Sequence, residues 1–417
     1  MIQKTALKNV FILLCVVALI LCSAGCTNKD IAESSEPSST TDSSEIQSSD
    51  ETESSEQLSS DASSSETTES EPEPKPELEP KPNPKPTPKP ESNTKPAQKP
   101  KPNPKPASKP KPEPQIPSRP KLPLITPDGD DMAYHPSVVK FDSEWNGYKY
   151  WIAFTPYPRA DETKENPVIN VSNDMKTWYV PSGLKNPLDK PDPSDRYHYN
   201  SDTHMLYNPT ENRLELFWRY ICDDGGKIGT VTIFRSVSYD GVTWEPKTVF
   251  LFVDDRNVYD YVSPAITLQD NVYRMWYVDV DKKAYYAEIV DGVIGEPTLL
   301  NVPFQGKLVP WHLDVIYNSE KAIYEMIVSA YTNRSDRQTM SMFYTYSSDN
   351  LNWSKPKAVI LPSDEKNKWD SRGMYRACML YDNGTYYVFF SAHGPNKTKV
   401  GVGLMYGSDI YHLKSYI

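Results

Sequence analysis

One short pattern returns five times between Tyr134 and Phe390, and this repetition constrains the fold more than any other feature. Each unit begins with a polar or small residue, continues as an apolar strand, turns, and ends in a strongly aromatic strand. The first reads His135-Pro136-Ser137-Val138-Val139, then turns at Asn146-Gly147 into Tyr150-Trp151-Ile152-Ala153-Phe154. The later units open at Asp202, Ser263, His312 and Arg376 and lead into Phe217-Trp218, Met275-Trp276, Tyr324-Glu325-Met326 and Tyr386-Tyr387. His135 to Trp151 and Asp202 to Trp218 are both 16 residues apart. A second signature, S-x-D-x-x-x-W, closes several units: Ser172 to Trp178, Ser238 to Trp244 and Ser347 to Trp353. Its Ser and Asp can satisfy turn N–H groups while the Trp covers the sheet, so Asp174, Asp240 and Asp349 read as structural. Units of this size, repeating in register, predict an all-β, five-bladed β-propeller.

The rest of the chain cannot build such a core. All 9 Trp and all 28 Tyr lie at or after Tyr134, whereas 20 of the 39 Pro lie between Pro72 and Pro123. The first segment, residues 1–25, carries Lys4 and Lys8 and an apolar run from Val10 to Leu21, which reads as a signal peptide. The following Ser23-Ala24-Gly25-Cys26 resembles the lipobox of bacterial lipoproteins, which implies cleavage before Cys26 and a lipid on its thiol. Residues 26–71 are rich in Ser and Glu, with 13 acidic residues against Lys29 alone, and read as a disordered linker. Residues 72–125 alternate Lys and Pro, as in Lys81-Pro82-Asn83-Pro84-Lys85-Pro86, which favours extended polyproline II. At ~3.1 Å per residue this stretch spans on the order of 170 Å, enough to cross a thick Gram-positive wall. The globular part is expected to start at Thr126, with the stalk dispensable for folding. The net charge of -11 and the lack of a basic stripe exclude nucleic acid as a partner. Cys222 and Cys378 are the two thiols of the domain; they either pair or stay buried and free.

In a propeller the inner-strand starts converge on the axis, so His135, Asp202, Ser263, His312 and Arg376 should share one funnel. Four of the six histidines (His135, His204, His312 and His393) fall at or near corresponding positions. On these strand starts, turn signatures and the blade pattern, residues 130–417 resemble the five-bladed propeller glycosidases of glycoside hydrolase families 43 and 32. The resemblance implies a carboxylate pair flanking the scissile bond, one protonating the leaving oxygen and the other activating water or attacking. Asp202 matches the blade-two Asp of that family. His135 stands where its blade-one Asp would be, and Tyr261-Val262-Ser263-Pro264 occupies the stretch of its blade-three Glu.

The expected catalytic set is therefore Asp202 with Asp314 or Glu165, Asp260 being a further carboxylate in reach. Substrate contacts fall to His135, Ser263, Trp311, His312, Arg376 and His393. No cofactor and no catalytic metal is expected, although a structural cation such as calcium fits in the channel. The function that follows is a monomeric surface glycosidase acting on a wall or extracellular polysaccharide; the alternative is a non-catalytic propeller that binds glycan. Cys26→Ala should release protein into the medium or leave the precursor uncleaved; normal processing and membrane retention would contradict lipidation at Cys26.

Overall fold

The computed structural model describes residues 115–192, 197–223, 229–306, 308–332 and 338–417. Cys26, the signal segment and the linkers up to residue 114 lie outside the described residues. Blade 1 is a three-stranded antiparallel sheet of β1 (Ala133–Trp145), β2 (Tyr148–Pro156) and β3 (Val168–Ser172). Blade 2 consists of β4 (His198–Asn208), β5 (Arg213–Cys222), β6 (Thr230–Ser238) and β7 (Thr248–Val253). Blade 3 contains β8 (Val262–Gln269), β9 (Val272–Val278), β10 (Ala284–Val290) and two short strands, β11 (Val293–Ile294) and β12 (Thr298–Leu299), both on β10. Blade 4 runs through β13 (Val309–Asn318), β14 (Ile323–Tyr331), β15 (Ser341–Ser347) and β16 (Lys357–Ile360). Blade 5 is β17 (Gly373–Asp382), β18 (Thr385–His393), β19 (Val400–Gly407) and β20 (Lys414–Ser415).

The inner strands pack in the closed circuit β1–β4–β8–β13–β17–β1, so the five repeats form a ring. Between each pair of neighbouring blades lies one apolar cluster, as expected for sheets with two apolar faces. The three closing tryptophans enter these seams: Trp178 between blades 5 and 1, Trp244 between 1 and 2, and Trp353 between 3 and 4. The Asp of each signature caps its own turn, Asp240 Oδ1 for example accepting from Val242 N at 2.8 Å and Thr243 N at 2.7 Å. In this turn Gly241 adopts φ +75°, and a Cβ there would stand 2.1 Å from the Trp151 ring of the preceding blade. Only Gly lets the turn rest on that indole.

A second set of contacts stitches the ring near its axis, where one side chain at every seam grips the backbone of the neighbouring inner strand. Ser137 Oγ accepts from Met205 N at 2.9 Å, and His204 Nε2 bonds the Ile266 backbone, 2.7 Å from its carbonyl oxygen and 3.0 Å from its nitrogen. Ser263 Oγ donates to the Leu313 carbonyl at 3.1 Å. Asp314 Oδ2 accepts from Met379 N at 2.9 Å, and Cys378 Sγ from Val138 N at 3.2 Å. Cys378 is thus a seam thiol and Cys222 hydrogen-bonds His198 at 2.7 Å; the two do not form a disulfide with each other.

The boundary expected at Thr126 is corrected by the packing of residues 115–125. Leu122 and Leu124 are buried in the cluster between blades 5 and 1. Ile116 N donates to Asp364, Arg119 pairs with Asp370 at 3.0 Å, Leu122 N bonds Val402 O, and Ile125 N bonds Asn170 Oδ1. The last prolines of the linker leave it extended, and the two leucines between them anchor it across the seam where the ring closes. Removing them exposes two buried Leu side chains, worth ~1.5–3 kcal/mol each. A chain starting at Thr126 should therefore melt ~5 °C or more below one starting at Gln115. Equal melting temperatures in calorimetry would contradict this role.

Candidate active site

Every inner strand carries a register shift near its start, with one extra residue looped out of the ladder. The residues entering these bulges are His135, Asp202, Ser263, Trp311 and Tyr375. His135, Asp202 and Ser263 adopt φ of 48°, 50° and 57°, a left-handed conformation that non-glycine residues rarely take. Bulges re-aim side chains, and strain of this kind persists where the surrounding structure over-determines it. Here it turns His135, Asp202, Trp311 and Tyr375 into one cavity of about 350 Å³, which Glu165, His312, His393 and Lys397 also line.

Asp202 is the centre of the cluster, and it is almost wholly buried. Its Oδ1 lies 3.5 Å from His135 Nε2, 3.4 Å from His312 Nδ1 and 3.4 Å from Arg376 Nη1. Its Oδ2 accepts from Ser263 N at 3.3 Å and lies 3.9 Å from Arg219 Nη1. Arg219 in turn donates to the Asp260 carbonyl at 2.8 Å and to its carboxylate. Burial alone would raise the Asp202 pKa, but the surrounding bases outweigh it and hold the carboxyl well below the usual range. Burial lowers His135 to about 3 and His312 well below its ordinary value, so both imidazoles are neutral at pH 7. With both rings neutral, the two guanidinium groups are the countercharges that keep Asp202 ionised.

The ring nitrogens are not equivalent. Thr155 Oγ1 occupies His135 Nδ1 at 2.9 Å, leaving Nε2 directed at Asp202. Neither nitrogen of His312 makes a hydrogen bond, although both are buried. Nδ1 has only its 3.4 Å contact with Asp202 Oδ1 and Nε2 has none; a buried polar atom left unpaired costs roughly 1–3 kcal/mol, so Nε2 points to a missing ligand. One donor atom each from His135, Asp202 and His312 can be chosen so that all lie within 4.8 Å of one another. Two neutral imidazoles and one carboxylate form a donor set for a divalent transition-metal ion; calcium, which prefers oxygen ligands throughout, suits it less well.

Glu165 supplies a second buried carboxyl beside Asp202; Glu162 and the Arg219-bound Asp260 also line the cavity. Glu165 follows a short 3-10 turn at Glu162–Lys164, is buried, and has its pKa raised well above the ordinary value by desolvation and the nearby Asp202 charge. Beside it, Lys397 Nζ donates to Tyr157 Oη at 3.2 Å and lies 5.5 Å from the Tyr375 ring centroid. Tyr375 stacks on Tyr134 at 4.5 Å and contacts the His312 ring at 4.4 Å, fixing the imidazole plane.

The structure thus gathers Asp202, Glu165, His135, Trp311, His312 and His393 around one cavity. Ser263 and Arg376 sit beneath, bonded to Asp202 but away from the opening. Asp314 is elsewhere. It faces the axis as the pleat of β13 requires, but deeper, where it bonds the backbone of β17, and burial raises its pKa to about 6. It does not line the cavity, so the pairing of Asp202 with Asp314 fails and that with Glu165 remains. The sequence reading missed Tyr375, Arg219 and Lys397. Tyr375 was within reach of the register argument, since it enters its bulge where His135 and Asp202 enter theirs, one residue before Arg376.

No protein-family profile matches the chain. An A type blood N-acetyl-α-D-galactosamine deacetylase from Flavonifractor plautii is 30% identical over an alignment 315 positions long that covers 63% of this chain. The alignment spans only 40% of that protein's length. The crystal structure of an N-acetylgalactosamine deacetylase from F. plautii, in complex with blood group B trisaccharide, superposes with a TM-score of 0.62. It is 24% identical, covering 70% of this chain and 95% of that one. This chain is a five-bladed β-propeller of the same fold. A thermostable family-43 glycoside hydrolase matches more loosely, with a TM-score of 0.47 and 15% identity over 69% of this chain and 94% of the other. The propeller expected from the sequence is therefore the fold observed, with carbohydrate-active enzymes as its structural neighbours.

Proposed function

We propose that the cavity is the active site of a metal-dependent deacetylase that hydrolyses the N-acetyl group of an amino sugar at the end of a glycan. The observation that carries this reading is the buried His135–Asp202–His312 cluster, in which neither His312 nitrogen makes a hydrogen bond, beside the raised-pKa carboxyl of Glu165. His135, Asp202 and His312 would hold the ion, whose contribution when bound is to polarise the amide carbonyl as a Lewis acid. Glu165 accepts a proton as water adds to the acetyl carbon, then delivers it to the nitrogen as the C–N bond breaks, giving acetate and the free amine. Arg219 and Arg376 keep Asp202 anionic, and Ser263 N fixes the carboxylate by its second oxygen. Trp311 offers an aromatic face at the cavity wall, a surface suited to the apolar side of a sugar ring.

Glycoside hydrolysis is the less favoured reading. It needs one carboxyl to carry or collect a proton opposite the other, and Asp202 is tied by two imidazoles and two guanidinium groups that hold it ionised. A carboxylate so stabilised is a poor base and a good ligand. The likeness to a deacetylase supports the same choice. The reading extends to location: the lipobox-like Ser23-Ala24-Gly25-Cys26 supports a domain displayed outside the cell membrane on a wall-spanning stalk, where glycans are accessible.

The test is a panel of N-acetylgalactosamine-terminated glycans with acetate as the readout. Glu165→Gln should lower acetate release by ~10²-fold or more. Because the base must be ionised, kcat/KM of the wild type should fall as pH drops through the Glu165 pKa, above the ordinary Glu range. The same substitution should raise the melting temperature at pH 7. A carboxyl with a raised folded pKa loses stability as pH rises through that pKa, and the amide removes the burden. Release of free sugar without acetate would instead establish a glycosidase, and a fully active E165Q would remove Glu165 from the chemistry.

A further inference from the structure

The seam between blades 4 and 5 opens, at the end of the strands remote from Asp202, into a cavity of about 270 Å³. Lys321, Ile323, Tyr344 and Tyr346 of blade 4 face the turn 408–411 of blade 5 across it. We infer that this cavity is a second glycan site, which holds one neutral sugar ring of a polysaccharide and anchors the protein to it. The inference is independent of the chemistry at Asp202. Lys321 lies in the β13–β14 turn, and most of the length of β13, on the order of 20 Å, separates the cavity from His312.

The repeat itself shows why this seam is open. Trp178, Trp244 and Trp353 stand four residues after Asp174, Asp240 and Asp349 and enter their seams. In blade 5 the turn survives, with Asp409 Oδ1 accepting from Tyr411 N at 2.9 Å, but Leu413 occupies the Trp position. Among the described residues, the seam between blades 2 and 3 has no closing Trp either, and there two arginines serve. Buried Glu215 accepts from Asn208 Nδ2 at 2.9 Å and Tyr273 Oη at 2.7 Å, and pairs with Arg213 at 2.9 Å and Arg235 at 3.7 Å. Glu325 repeats the arrangement between blades 4 and 5, accepting from Asn318 Nδ2 at 2.8 Å and from Tyr386 Oη. By register, however, Ile323 stands in place of Arg213 and Tyr344 in place of Arg235. Tyrosine hydroxyls thus satisfy the buried carboxylate where guanidinium groups would, and Tyr344 and Tyr386 line the space left open.

The lining suits a sugar and not an ion, because its charges are already paired. Lys321 Nζ lies 3.5 Å from Glu325, and Asp409 lies 2.6 Å from His412. Tyr346 and Tyr411 are 46% and 38% exposed, and the Tyr411 ring stands at 90° to that of Tyr344 with 5.7 Å between centroids. An aromatic corner of this kind takes the C–H face of a pyranose, while Lys321 donates to its hydroxyls and Asp409 accepts from them. Affinity electrophoresis of the whole protein through gels containing galactan, galactomannan or acidic pectin tests the site. At least one of the two neutral polysaccharides should retard the wild type. Tyr346→Ala/Tyr411→Ala, which removes two exposed rings, should raise the dissociation constant ~ten-fold or more. Acetate release from a soluble N-acetylgalactosaminyl oligosaccharide should not change, since neither tyrosine lines the cavity around Asp202. No retardation by either neutral polysaccharide, equal retardation of the two proteins, or retardation by pectin alone would overturn the site. Retardation lost in the variant, with no acetate released by either protein, would uphold this site and overturn the deacetylase reading alone.

Discussion

The propeller depends on how its inner strands grip one another. Blades bury apolar faces against their neighbours, but such contacts are non-directional and would tolerate sliding. The stitches from Ser137, His204, Ser263, Asp314 and Cys378 to the backbone of the next strand are directional, and they occur at all five seams. Each satisfies a peptide group that faces the axis instead of a ladder partner, at the level where the bulges interrupt pairing. The ring therefore has a fixed register about its axis, and every bulge above the stitches points to a set place. At the seam between blades 5 and 1, Leu122 and Leu124 of the incoming segment add a clasp to the ring.

On that frame the site is assembled from groups that a stable core would avoid. Asp202 is buried with two guanidinium groups, two imidazoles with depressed pKa values stand against it, and Glu165 is buried with a raised one. Perturbed groups clustered in one cavity are typical of chemistry, since each is useful in the state that burial imposes. Neutral histidines are able to act as ligands, an ionised Asp202 is suited to a cation, and a carboxyl with a raised pKa is suited to moving protons. The left-handed φ at His135 and Asp202 belongs to the same economy: strain is accepted where the side-chain direction matters and is held by the seams below.

The fold was legible because its signals are local and repeated. Alternating apolar residues, Asn-Gly turns and the S-x-D-x-x-x-W closure each specify short-range geometry, and fivefold recurrence turns short range into architecture. Site membership was legible to the extent that strand starts converge, which brought His135, Asp202, Trp311 and His312 to the cavity. Depth was not legible: Asp314 shares a face with His312, and a period of two carries no information on which of two same-face residues reaches the opening. The glycosidase resemblance frames carboxylates as acid and nucleophile, whereas the proposed deacetylase reading uses Asp202 as a ligand. The His-for-Asp replacement at position 135 reads differently once His312 is placed beside Asp202. The segment 115–125 was assigned to the stalk on its prolines, and the burial of Leu122 and Leu124 between them is a tertiary event that composition does not register.

The proposed deacetylase mechanism requires His135, Asp202 and His312 to act as ligands. Equilibrium titration of metal-stripped protein with zinc, manganese and nickel, read by calorimetry and by elemental analysis of the dialysed protein, measures this directly. One divalent ion per chain is the predicted stoichiometry, with binding lost in His312→Ala while circular dichroism still reports a folded propeller. Absence of stoichiometric binding, or a His312→Ala protein that binds as tightly as the wild type, would contradict the metal site and the deacetylase mechanism with it.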